Sequence, residues 1–355
     1  MRVAPLRPGA TTESSATTAP RAALRVGGVD YVNTTDAALW LGLKGAWVEP
    51  QRKLVLAGAG HKLELASNDR DAYLDGLWLH LGNATLFRDD RLYVSRVDLE
   101  HTLAPILRPD LVASPLAPAP RVIALDAGHG GGDPGVENKA LGLQEKTLTL
   151  DTVLRLKKIL EADGYRIVLT RKDDNVFSSE KKIDLPMRAQ VANRAGADLF
   201  VSVHFNSLFP DTKTNGTEIF VYTPQGQRST ESWGFAKDDD ARDTPMAVNR
   251  YDAWSALLAH RLHRAVLAGL GTNDRGQKTK HLLALQDLDC PAVLVESVFI
   301  SNDTEGRRAA TPAYREKIAE AIADGVRAYA ATVAEVRARA PAAKTSAVTQ
   351  RPRSS

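Results

Sequence analysis

The sequence predicts an α/β protein: a mostly parallel, twisted sheet with helices on both faces, preceded by a small α+β domain. Three observations carry this. After residue 121, short apolar runs alternate with longer segments of helical period, as in a parallel sheet covered by crossover helices. Before residue 112, short runs rich in β-branched and aromatic residues are separated by turn residues. Between the two lies ASPLAPAPR, a Pro/Ala linker over residues 113–121. A length of 355 residues suits roughly two domains.

Composition excludes some functions. A net charge of only +3 argues against strong non-specific binding to nucleic acid. No run approaches the roughly 18 apolar residues of a membrane span, so no integral membrane segment is expected. Cys290 is the single cysteine, so no intrachain disulfide forms and the compartment is not identified by cysteine usage. It reads as a buried structural thiol.

Residues 1–24, rich in Ala, Thr, Ser and Pro, read as a disordered leader. They have early arginines but no apolar stretch, so they are not a signal peptide as written. Residues 25–112 form the small α+β unit. It carries an internal repeat: Val29–Val32 followed by Thr35–Leu39 matches Arg91–Val94 followed by Val97–His101, each a strand with "YV" and then a short helix. This pattern resembles the copper amine oxidase N-terminal-like domain. Its histidines, His61, His80 and His101, are scattered, and no copper is expected there.

Residues 122–335 form the second domain. VIALDAG, YRIVLTR, LFVSVHF, TEIFVYT and AVLVESVF read as strands. LTLDTVLRLKKILEADG is a helix closed by Gly164, and DLPMRAQVANRAG a helix capped by Asp184 and stopped by Gly196. YDAWSALLAHRLHRAVLAGLG and PAYREKIAEAIADGVRAYAATVAEV are two more. His260 and His263, with Arg261 and Arg264 beside them, read as a solvated helix face. Residues 224–250 exceed what a simple connection needs and read as a mobile surface loop or a regulatory lid. Residues 336–355 read as a disordered tail.

In an open α/β sheet, sites form beyond the carboxyl ends of strands. Three strands deliver polar groups there: VIALDAGH brings Asp126 and His129, LFVSVHFN brings His204 and Asn206, and AVLVESVF brings Glu296. A carboxylate inside an apolar strand is costly unless paired, liganded or catalytic. Glu296 is therefore either a catalytic acid or a structural one bound to backbone, Arg188 or Arg275. Two imidazoles and a carboxylate, with a fourth position left for water, are a ligand set of hydrolytic zinc. The run Gly130–Gly135 matches a dinucleotide-binding fingerprint, but Pro134 lies inside it and no helix opens at its third glycine. Its glycines fit a backbone that passes close to a metal and its ligands.

LDAGHGGGDPG, then Glu145-Lys146, then LPMRAQVANRAGADLFVSVHFNS, then DRGQKTKHLLALQDLDCPAVLVESVFISN, resemble in order the zinc-dependent N-acetylmuramoyl-L-alanine amidases of the amidase 3 family. The resemblance implies an amidase 3-like fold and zinc (Zn2+) held by His129, Glu145 and His204. It favours Glu145 over Glu137, because only Glu145 has the following lysine and the helix start. It implies that Glu296 is the catalytic glutamate, that Asp126 and Asn206 orient the imidazoles, and that the substrate is peptidoglycan in the cell envelope. Any regulatory protein partner is unknown. Phe205 and Val298 stand where the family often has smaller residues, and are expected to reshape the substrate cleft. The alternatives are a non-catalytic peptidoglycan-binding or regulatory protein on the same fold, or a zinc peptidase acting on free peptides.

Overall fold

The computed structural model describes residues 18–112, 119–230 and 244–339. Most of the leader, the core of the linker, the centre of the 224–250 segment and nearly all of the tail therefore lie outside the described residues.

The chain opens with a hairpin of β1 (Leu24–Val26) and β2 (Val29–Asn33). Helix α1 (Thr34–Leu41) starts where the Asn33 side chain accepts the Thr35 N–H, and ends at Gly42 with φ 72°. Five antiparallel strands follow as a meander: β3 (Lys44–Glu49), β4 (Lys53–Gly58), β5 (His61–Ala66), β6 (Asp71–Leu74) and β7 (Leu77–His80). Strands β8 (Leu86–Arg88) and β9 (Arg91–Ser95) close a small sheet ordered β1-β2-β9-β8. The sequence repeat has a structural counterpart. β2 and β9 pair antiparallel, and Ser95 caps α2 (Arg96–Asp98) as Asn33 caps α1. A π-helical turn over Leu99–Leu103 and α3 (Ala104–Leu107) complete this unit.

The second unit begins with β10 (Val122–Ala127), then a short hairpin of β11 (Glu137–Asn138) and β12 (Leu143–Gln144), and α4 (Glu145–Ala162). After it come β13 (Arg166–Leu169), α5 (Lys181–Arg194), β14 (Leu199–Asn206), β15 (Thr217–Tyr222) and α6 (Asp252–Leu270). The last elements are β16 (Asp274–Lys280), β17 (Ala292–Phe299), α7 (Asp303–Ala309) and α8 (Pro312–Arg339). Strands β13-β10-β14-β17 are parallel; β15 runs antiparallel to β17, and β16 parallel to β15.

The sheet does not stop at β16. Gln277 of β16 pairs with Leu79 of β7, and the meander continues the sheet to eleven strands. The N-terminal unit thus shares a sheet with the unit that follows it. Buried polar contacts fasten the join. Asp98, fully buried, accepts the backbone N–H groups of Gly82 and Asn83 and bonds the Gln227 side chain. Asp274 accepts the Trp78 N–H at 2.8 Å.

One face of the parallel strands, carrying Leu125, Val201, Val203, Val293 and Val295, packs on α4, α6 and α8. The other, with Ala124, Phe200 and Leu294, packs on α5 and the segment around Leu285. This arrangement corrects three expectations. His260 and His263 are buried, because α6 is enclosed by the sheet, α8 and the N-terminal unit; His263 Nε2 lies 3.0 Å from Asp274. Asp184 is not the cap of α5. It lies one turn inside, where it pairs with Arg188, and Glu180 takes the cap position. Finally, α8 stays helical as far as Arg339.

Candidate metal and catalytic centre

β10 and β14 are neighbours, so the chain leaving β10 meets the end of β14. There the side chains of His129, Glu145 and His204 converge, with one potential ligand atom from each all within 4.8 Å of one another. Glu145 is the first residue of α4 and is almost fully buried, where the helix N-terminus favours its negative charge. Oε2 accepts the Val136 N–H and lies 3.0 Å from His129 Nε2. Oε1 accepts the Phe205 N–H and lies 3.0 Å from His204 Nδ1. Burial opposes its ionisation, but the two imidazoles outweigh burial and hold its pKa far below the usual carboxylate range. Burial likewise opposes protonation of His129, and Glu145 and Asp133 more than offset it, so that pKa is raised.

The residues fit a zinc ion. Tetrahedral bonds of about 2.0 Å put neighbouring ligand atoms about 3.3 Å apart, and each imidazole nitrogen here lies 3.0 Å from one of the two Glu145 oxygens. Two glycines make the cradle. A Cβ at Gly128 would fall 2.3 Å from the His204 ring, and one at Gly135 2.6 Å from Glu145 Oε2 and 2.7 Å from the His129 ring. The glycine-rich loop therefore serves close approach, as its composition predicts.

Glu296 is the cross-strand partner of His204 between β17 and β14, so both point to the same face of the sheet. On that face a cavity of about 190 Å³ opens beside His129 and His204. Val176, Ser178, Ser179, Leu185, Leu282 and Leu283 line its walls.

Three contributors were missed in the sequence or left undecided by it. Asp133 Oδ2 lies 2.9 Å from His129 Nδ1, and its own pKa is held down to about 2; burial opposes this, and Lys181 and His129 prevail. Its spacing of four from His129 was the available signal. Arg188, undecided from sequence, is buried. It donates to Asp126 (3.0 Å), Asp184 (2.7 Å) and the carbonyls of Ala127 and His129 (both 2.8 Å). Arg171 also donates to the carbonyls of Ala127 (2.8 Å) and Gly128 (3.0 Å). Together the two guanidiniums hold the loop in which His129 has φ +62°, a conformation unfavourable for a residue with a Cβ.

Two assigned orienting groups act elsewhere. Asp126 accepts from Arg188, Ser202 and Thr170, and steadies the loop through Arg188. Asn206 donates to Glu218. Phe205 and Val298 also depart from expectation. Both are fully buried in the core shared with α4, α6 and α8, so they do not line the cleft.

With this geometry in place, comparison decides the family. A sequence profile described as N-acetylmuramoyl-L-alanine amidase matches residues 123–328, more than half of the chain. The chain belongs to the N-acetylmuramoyl-L-alanine amidase family. Among similar family members, the amidase AmiC of Escherichia coli is 30% identical over 227 residues, 59% of this chain and 53% of the relative. AmiC of Neisseria meningitidis is 32% identical over 226 residues, 59% of this chain and 52% of the relative. LytC of Bacillus subtilis is 32% identical over 207 residues, 58% of this chain and 35% of the relative. The chain thus spans about half or less of the length of these relatives. The structure of the catalytic domain of CwlV, an amidase from Bacillus (Paenibacillus) polymyxa, is 28% identical with a TM-score of 0.47, and covers 59% of this chain and 97% of that one. No described helix of this amidase-family chain is long and apolar enough to cross a membrane.

Proposed function

We propose that this chain is a zinc-dependent hydrolase of the amide bond between N-acetylmuramic acid and L-alanine in peptidoglycan, acting in the cell envelope. The observation that carries the reading is the convergence of His129, Glu145 and His204, with Glu296 beside His204 on the same sheet face. The family membership of residues 123–328 and the names of the relatives supply the substrate. The N-terminal unit is read as a copper amine oxidase N-terminal-like module, on the strength of its paired strand-helix repeat.

His129, Glu145 and His204 would hold the zinc. Held by such a set, zinc supplies Lewis acidity toward water and toward a carbonyl oxygen. Asp133, hydrogen-bonded to His129 Nδ1, keeps Nε2 turned toward Glu145 and the cavity. Glu296 acts as general base and then general acid: its carboxylate takes a proton from the attacking water and returns it to the leaving amine. The apolar walls from Val176, Leu185 and Leu282 exclude bulk water around the scissile amide.

The test combines metal content with wall hydrolysis. Purified protein should carry about one zinc per chain. Glu296→Gln should keep the zinc and lose about 100-fold or more in peptide release from purified peptidoglycan. A fully active Glu296→Gln variant would remove Glu296 from its role. Equal cleavage of peptides that lack muramic acid would replace the amidase reading with a peptidase.

A further inference from the structure

The meander buries one face on its own core through Leu54, Leu56, Leu63, Leu65, Leu74 and Leu79. Side chains alternate across a sheet, so Glu64, Tyr73, Trp78 and His80 share the opposite face. On it Tyr73 and Trp78 are cross-strand partners with stacked rings, centroids 6.3 Å apart and 14° between planes. Tyr73 is 40% exposed. The Trp78 ring continues onto His80 at 4.5 Å.

The same face leads to the candidate centre. Leu79 pairs with Gln277, which sets His80 beside Lys278; Lys278 pairs with Phe220, two residues along from Glu218; and Glu218 pairs with Glu296, the partner of His204. Residues opposite one another across a ladder point to one side. His204, Glu296, Glu218, Lys278, Trp78 and Tyr73 therefore belong to one face of one sheet. Gly276 lets the rings lie against β16: a Cβ there would come within 2.6 Å of the His80 ring. From β17 to β6 is four strand spacings, about 19 Å. The sheet's twist turns this path diagonally across the strands.

We propose that Tyr73 and Trp78 form a glycan-binding platform for the polymer engaged at Glu296. This rests on the reading of that centre as a peptidoglycan amidase. The flat, apolar C–H face of an N-acetylhexosamine ring matches an exposed aromatic face, and stacking on Trp78 steadies the Tyr73 ring. Between the two places Glu218 is buried and ion-paired with Arg275 and Lys278, so a polysaccharide strand would pass over these cations to reach both at once. The platform then raises the local concentration of linkages at the cleft with no contact to the reacting bond. A short fragment cannot bridge the gap and gains nothing from it.

The experiment uses the full chain in a Glu296→Gln background, sedimented with insoluble peptidoglycan sacculi. Tyr73→Ala should weaken binding about fivefold, Tyr73→Phe should retain it, and soluble N-acetylglucosamine oligomers should compete with sacculi for the unaltered platform. With Glu296 restored, Tyr73→Ala should lose more activity on sacculi than on a soluble disaccharide-peptide, by about the same factor. A merely structural role for the ring would lower both activities alike. Trp78→Leu, checked for folding by circular dichroism, gives a second reading of the same ratio. Undiminished sacculus binding by Tyr73→Ala, equal losses on long and short substrates, or no competition by the oligomers overturns the platform. Sedimentation without any release of peptide by the wild-type chain overturns the amidase reading instead.

Discussion

Replacing Arg188 with methionine tests whether this buried guanidinium holds the loop that carries His129. The guanidinium is buried and serves two carboxylates and two carbonyls at 2.7–3.0 Å. Methionine fills similar space but leaves Asp126 and Asp184 without their cation, and breaking a buried ion pair from one side costs about 3–5 kcal/mol. The His129 carbonyl is released as well, and the left-handed backbone there, unfavourable by about 1 kcal/mol or more, is free to relax. Because loss of an outer-shell partner weakens metal sites by about 10–100-fold, zinc affinity should fall within that range. Urea unfolding measures the first quantity and chelator competition the second. The sign of the pH dependence follows from Asp126. Burial opposes its ionisation, and Arg188, Ser202 and Thr170 overcome burial, so its folded pKa is depressed. A depressed acid contributes stability above its unfolded pKa and loses it as pH falls through the folded value. The advantage of wild type over Arg188→Met should therefore narrow below about pH 4. A variant less than about 1 kcal/mol destabilised at pH 7, with unchanged zinc affinity, would refute the reasoning.

Gly128→Ala places a methyl in the space of the His204 ring, at a position where the backbone itself accepts alanine; zinc affinity should fall by about tenfold or more while the metal-free protein melts near the wild-type temperature. Asp252 shows the opposite linkage from Asp126. Burial raises its pKa to about 8, so its contribution is full below about pH 4 and is lost as pH rises toward 8. Asp252→Asn removes that loss, and its stability relative to wild type should climb across this window; a constant difference in unfolding free energy from pH 4 to 8 would contradict it. Deleting residues 1–113 should not yield a clean domain, because β16 becomes an open edge and Asp274 and Gln227 lose partners across the join. Size-exclusion chromatography should show association, with a lowered melting temperature.

The strands of the second unit and their crossover helices were legible because their apolar runs and helical periods are long. His129 and His204 followed from them, since each stands at the carboxyl end of such a run. Glu145 did not: Glu137 also lies near the loop, and family resemblance made the choice. Arg171 escaped notice although it stands two residues beyond β13, because its targets lie on β10 and α4, and strand order is invisible to periodicity. The burial of His260 failed for a similar reason. A helical wheel shows which side of α6 is apolar, but not that a second unit packs against the rest. The shared sheet was least legible of all. β16 reads DRGQKTK, with no apolar alternation to mark it as a strand that needs a neighbour.

The positions that depart from the family also sharpen where specificity can reside. Phe205 and Val298 looked like changes to the substrate cleft, because each follows a candidate functional residue closely in sequence. In a strand, one step along the chain turns the side chain to the other face. Phe205 accordingly fills the core beneath His204, and the irregular pairing at the end of β14 and β17 leaves Val298 in that same core. Their bulk is absorbed by α4, α6 and α8, and the cavity does not feel it directly. Selectivity at the cavity is then set by its own lining, which includes the segment around Val176–Ser179 and the turn at Leu282–Ala284. Both are connections and not strands. Substitutions in these connections can retune the cavity while the His129 loop stays gripped by Arg171 and by Arg188, which itself lines the cavity.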